Sequence, residues 1–126
     1  MKKDPRVYLA QILERAQLIE EFTGGQRTRF LGDRMVQEAV LHQLTIIGEA
    51  AKRIDEDYRS AHPDIPWRGL SGLRDVLVHQ YEGVDAERVW DAIERDVPLI
   101  LSTIAELLPP LDQLERELAR GDEEQG

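Results

Sequence analysis

No cysteine occurs among the 126 residues, so neither a disulfide framework nor a thiolate zinc site can form. The chain nowhere strings 18 apolar residues together, which leaves no candidate for a membrane-spanning helix. Its opening, MKKDPRVYLAQILERAQ, carries Asp4, Arg6, Glu14 and Arg15 and no apolar run longer than four residues, unlike the unbroken apolar core of a secretory leader. A soluble, cytoplasmic protein with no membrane role is expected. Basic charge is also scarce: 16 Lys and Arg face 25 Asp and Glu, a net charge of −9. Broad, nonspecific grip on a polyanion needs a surplus of cations, so any nucleic-acid role must rest on a small positive site. Residues 112–126 hold six acidic and two basic side chains and supply −4 of that charge, which leaves the body acidic too. Three histidines, His42, His62 and His79, are scattered, with no i, i+4 pair to begin a ligand set. Neither a metal nor a cofactor is expected.

What is present reads as helix. Apolar residues make up 41% and charged residues 33%, the balance of one globular domain. Asp4 before Pro5 is a helix start, a capping carboxylate followed by a proline where no amide donor is needed. Leu9, Ile12, Leu13, Ala16 and Ile19 then form one stripe that ends at Gly24-Gly25. Val36, Val40, Leu44, Ile47, Ala51, Ile54 and Tyr58 predict one long second helix from Asp33 to about Tyr58. Gly48, Ala50 and Ala51 keep part of it thin, so that another helix can approach. The prolines of HPDIPWRG break the chain, and a third helix is predicted from about Pro66 to Gln80. A fourth begins after Gly83 with Asp85 as its cap. It carries Val89, Trp90, Ile93, Val97, Ile100, Leu101, Ile104, Leu107 and Leu108, with a kink expected at Pro98. Pro109-Pro110 ends it, and Leu111 to Leu118 predict a short amphipathic helix before the end frays. The expected fold is all-α, a four-helix up-down bundle with a short extra C-terminal helix. Residues 1–118 form the domain and 119–126 an acidic flexible tail.

The third helix carries chemistry that its core does not need. On a wheel of ~100° per residue, Leu70, Leu73, Val76, Leu77 and Gln80 share the core arc. Arg74 and Tyr81 lie along one shoulder. His79 points nearly opposite the core, with Asp75 one turn before it, so a core-satisfied histidine is disfavoured and a solvated Asp75–His79 pair is the plain alternative. Arg74 and His79 stand ~140° apart on a regular helix. Two copies of the chain about a two-fold axis would bring both pairs into one cleft. Such a cleft suits metal-free cleavage of RNA, which carries its own 2′-hydroxyl nucleophile. A histidine can take or return the proton, and an arginine can hold the phosphate as its charge builds. Taken singly, Arg74 in a salt bridge and Tyr81 as a half-buried aromatic are ordinary residues.

R-D-V-L-V-H-Q-Y, written R-x-x-x-x-H-x-Y, resembles the signature of HepT-like ribonuclease toxins of the HEPN superfamily, which pair with MNT-type nucleotidyltransferase antitoxins. LTIIGEAAKRI (44–54), HPDIPWRGLSGLRDVLVHQYEGVD (62–85) and VW (89–90) resemble that family in the same order. The resemblance implies an all-α, HEPN-like homodimer with a ribonuclease site at its interface, acting on tRNA or mRNA. It implies that Arg74 and His79 are the catalytic pair and Tyr81 the acceptor of AMP from the antitoxin, with Asp75 in a supporting, orienting role. AMP on Tyr81 would neutralise the toxin of such a type VII-like pair through added bulk and negative charge. The alternative is a noncatalytic helical dimer that binds a nucleotidyltransferase partner, which an acidic surface also suits.

Overall fold

The computed structural model describes the backbone of residues 4–72 and 86–125, and the side chains of all of these except 111 and 121–125. Among the described residues every regular element is a helix: α1 (Pro5–Thr23), α2 (Arg27–Gly32), α3 (Arg34–Arg53) and α4 (Glu56–Ala61), then a helical stretch at 67–72 called α5, α6 (Ala86–Leu107) and α7 (Leu111–Gln125). None of these is long and apolar enough to cross a membrane.

Local chemistry sets the first boundary as expected. The Asp4 carboxylate accepts from the Arg6 N–H at 2.9 Å and binds its guanidinium at 2.8 Å. At the other end Gly24 adopts φ 60°, and its N–H returns to the Glu20 carbonyl. A left-handed residue there is what glycine supplies without a steric penalty. The chain then does something the apolar pattern did not announce, winding the short α2. Its Phe30 is 1% exposed and stacks on Trp90 of α6, with ring centroids 5.6 Å apart. Gln37 closes α2 from outside, donating its side-chain N–H to the carbonyls of Phe30 and Leu31.

The predicted long second helix is really two. Asp33 caps α3, accepting from Met35 and Val36, but the helix ends at Ile54, whose backbone is extended at ψ 128°. Asp55 then caps α4 by accepting from the Tyr58 N–H at 2.8 Å. Periodicity concealed this break because Ile54 stays 1% exposed and Tyr58 still packs on the core. By contrast, the predicted stripes of α1, α3 and α6 do form the core, except that Leu107, expected on the apolar face of α6, is 37% exposed at the helix end. Leu9, Ile12, Ile19, Leu44, Ile47, Ile100 and Ile104 are fully buried. The most extensive packing joins α1 to α3, α6 closes on α1, and α2 lies against both α3 and α6. α6 runs through Pro98 without a break. The carbonyl that proline leaves without its helical partner belongs to Glu94, which is exposed, as is Pro98, so water can serve it. α7 continues past Leu118 to Gln125 and is held by buried Leu114 and by an Arg6–Glu117 ion pair of 2.8 Å.

Candidate functional site

The four residues singled out by sequence, Arg74, Asp75, His79 and Tyr81, and the Asp85 cap lie in 73–85, outside the described residues. The structure describes the frame at either end of that segment: the loop and α5 before it, and the start of α6 after it.

The loop before α5 is pinned by one side chain. The Trp67 indole N–H donates to the Arg59 carbonyl at 3.1 Å and to the His62 carbonyl at 2.9 Å. One donor thereby gathers the end of α4 and the turn at 62–65. His62 contributes to the same knot. Its ring stacks on Tyr58 with centroids 4.1 Å apart, and its Nδ1 lies 3.0 Å from the Tyr58 carbonyl. His62 therefore has a packing role, while His42 is exposed on α3. Among the described residues no cluster of histidine and carboxylate could hold a metal ion. Ile65 and Leu70 are buried and root the segment in the core.

α5 meets α6 closely at Gly69 and Asp96. A Cβ built on Gly69 would lie 3.1 Å from each of the three carboxyl atoms of Asp96, so glycine is what lets the two helices touch. Asp96 is 4% exposed. Its compensating cation is the preceding residue: Arg95 Nε lies 3.1 Å from Oδ1 and Nη2 3.2 Å from Oδ2. Hydrogen bonds to Asp96 hold the Arg95 guanidinium above the ordinary arginine range, and the Asp96 and Asp91 charges add to this. Although bound in this way, Arg95 keeps 71% of its side chain exposed. Pro66, Arg68, Gly69 and Gly72 face Ala92, Arg95 and Asp96 across a cleft of about 480 Å³. Among the described residues two arginines and one aspartate line it, and with Arg95 bound to Asp96 it is Arg68 that adds a cation there.

Sequence reasoning passed over Arg68, Gly69, Arg95 and Asp96. The signal for Asp96 was legible: it follows Ile93 by three and precedes Val97 by one, so it interrupts an apolar stripe with a carboxylate. The pairing with Gly69 was not, since 27 positions separate them and no local pattern joins the two.

Comparison with known proteins reaches the same region. A family model described as "Ribonuclease HepT-like" matches residues 12–107. The "Probable ribonuclease HepT" of Thermococcus cleftensis is 44% identical over 99 residues, 78% of this chain and 90% of the relative. The "Putative RNase MJ0127" of Methanocaldococcus jannaschii is 38% identical over 112 residues, 88% and 93% of the two chains. A "Putative RNase TTE0752" of Caldanaerobacter subterraneus is 36% identical over 107 residues, 84% and 96% of the two. No solved structure gives a significant match.

Proposed function

Because the chain belongs to the HepT-like ribonuclease family, we propose that it is a metal-independent endoribonuclease, the toxin of a pair whose antitoxin is an MNT-type nucleotidyltransferase. The observation that carries the reading is Arg74, His79 and Tyr81 at R-x-x-x-x-H-x-Y spacing, inside the 12–107 stretch that matches the family. Attack of the 2′-hydroxyl on phosphorus requires that it lose a proton, and departure of the 5′-oxygen requires that it gain one. His79 serves that exchange, and Arg74 offsets the charge growing on the phosphoryl oxygens. Asp75 orients His79. A homodimer supplies both pairs to one cleft, which answers the ~140° expected between the two positions if their helix is regular. AMP added to Tyr81 puts a phosphodiester charge beside the arginine and closes the site to RNA.

The test is cleavage of tRNA and mRNA by the purified protein in EDTA. His79→Ala and Arg74→Ala are each expected to lower the rate by about 10²-fold or more, with dimerisation and melting temperature unchanged. Wild-type protein that cleaves no RNA, yet dimerises and binds the nucleotidyltransferase, refutes the enzyme. Intact mass after co-expression with the antitoxin tests Tyr81. AMP-sized increments that vanish in Tyr81→Phe support the assignment, and increments that persist there move the acceptor elsewhere.

A further inference from the structure

We infer that the cleft between α5 and α6 is a phosphate subsite for the RNA backbone, with Arg95 and Arg68 as its contacting cations and Asp96 as a positioning residue. The inference rests on the ribonuclease reading and goes beyond it, since none of these residues belongs to the R-x-x-x-x-H-x-Y set.

The cleft holds an unusual ion pair, Arg95 with Asp96. A carboxylate that is 4% exposed is costly unless a cation and hydrogen bonds compensate it. Here the cation is the adjacent residue. Neighbours on a helix diverge by ~100°, so Arg95 reaches Asp96 only by folding back over the helix surface. For stability alone, an apolar side chain at 96 would serve as well. The arrangement instead does something to Arg95. It fixes Nε and one Nη2 proton inward while the side chain stays 71% exposed at the rim of the cleft. A planar guanidinium held in advance in one orientation loses less freedom when it meets the oxygens of a phosphate.

The rest of the cleft agrees with such a ligand. Arg68, exposed on the opposite wall, adds the second cation. Among the described residues a Cβ on Gly72 would meet nothing within 4 Å, and in sequence Gly72 precedes Arg74 by only two residues. Two exposed guanidiniums at one cleft also suit a chain of net charge −9: the RNA is gripped at a point, without a basic face.

The probe is a short single-stranded 2′-O-methyl RNA, which cannot be cleaved, titrated against the full chain at several salt concentrations. Arg95→Gln and Arg68→Gln are each expected to weaken binding about tenfold at low salt and to reduce the slope of log Kd against log salt by about 0.7, one phosphate contact on a single strand. Arg34→Gln makes the same charge change outside the cleft and is expected to shift Kd by less than about twofold. Asp96→Asn separates positioning from charge. It makes the cleft more positive, so a purely electrostatic site would bind more tightly, whereas a released Arg95 binds more weakly at an unchanged salt slope. If Asp96→Asn unfolds the chain, or Arg95→Gln does so by stranding the buried Asp96 carboxylate, Arg68→Gln decides, because Arg68 is exposed. Wild-type affinity and slope in both arginine variants, with cleavage of ordinary RNA intact, overturn the subsite and leave the ribonuclease standing. Tighter binding by Asp96→Asn overturns the positioning role. Wild-type protein that neither binds the probe nor cleaves RNA overturns the ribonuclease reading, and the subsite with it.

Discussion

Replacing Gly69 by alanine pits two effects of similar size against each other. Alanine is favoured over glycine inside a helix by up to about 1 kcal/mol, and Gly69 lies within the helical stretch 67–72. Its Cβ, however, would lie 3.1 Å from Cγ, Oδ1 and Oδ2 of Asp96 together, so no rotation about the last bond escapes the contact. Asp96 has little freedom to retreat, being 4% exposed and tied to Arg95 by two hydrogen bonds. Crowding a packed site of this kind typically costs about 1–3 kcal/mol. Crowding should win by about 1 kcal/mol, which in a domain of this size lowers the melting temperature by roughly 4 °C. Urea unfolding of Gly69→Ala, Asp96→Ala and the double variant completes the cycle. In the Asp96→Ala background the obstacle is gone, so Gly69→Ala should be neutral or stabilising. A Gly69→Ala protein at least as stable as the wild type, or one whose cost persists in the Asp96→Ala background, refutes the close approach as the reason for glycine.

Other consequences can be measured on the same footing. Arg6 hydrogen bonds hold the Asp4 pKa below the ordinary carboxylate value, against the opposing effect of burial. Its contribution is therefore complete above the unfolded value and disappears as pH falls through the folded one. The melting temperature of Asp4→Ala should trail the wild type by the equivalent of about 1 kcal/mol at neutral pH, and the gap should close below about pH 4. A gap that widens in acid would refute the sign. Trp67→Phe keeps most of the packing but removes the donor shared by the Arg59 and His62 carbonyls, at an expected cost of about 1 kcal/mol by urea unfolding. Ile47→Ala empties a fully buried position on α3 and should cost about 2–5 kcal/mol; a cost under 1 kcal/mol would mean the core collapses around it.

The sequence by itself determined an all-helical chain, the faces of α1, α3 and α6 that meet in the core, and the start of α1 at Asp4-Pro5. These follow from interactions spanning four residues or fewer: a cap, a turn, and the 3.6-residue repeat that decides which side of a helix is apolar. The spacing of Arg74, His79 and Tyr81 was legible for the same reason. Tertiary structure alone decided that α3 stops at Ile54, because a break that leaves Ile54 and Tyr58 on the core does not disturb the repeat. It also decided that Phe30 of α2 seats on Trp90, and that Gly69 admits Asp96 with Arg95 folded over it. Each of these depends on which helix lies opposite, and a one-dimensional pattern records only that a side chain is covered, never what covers it.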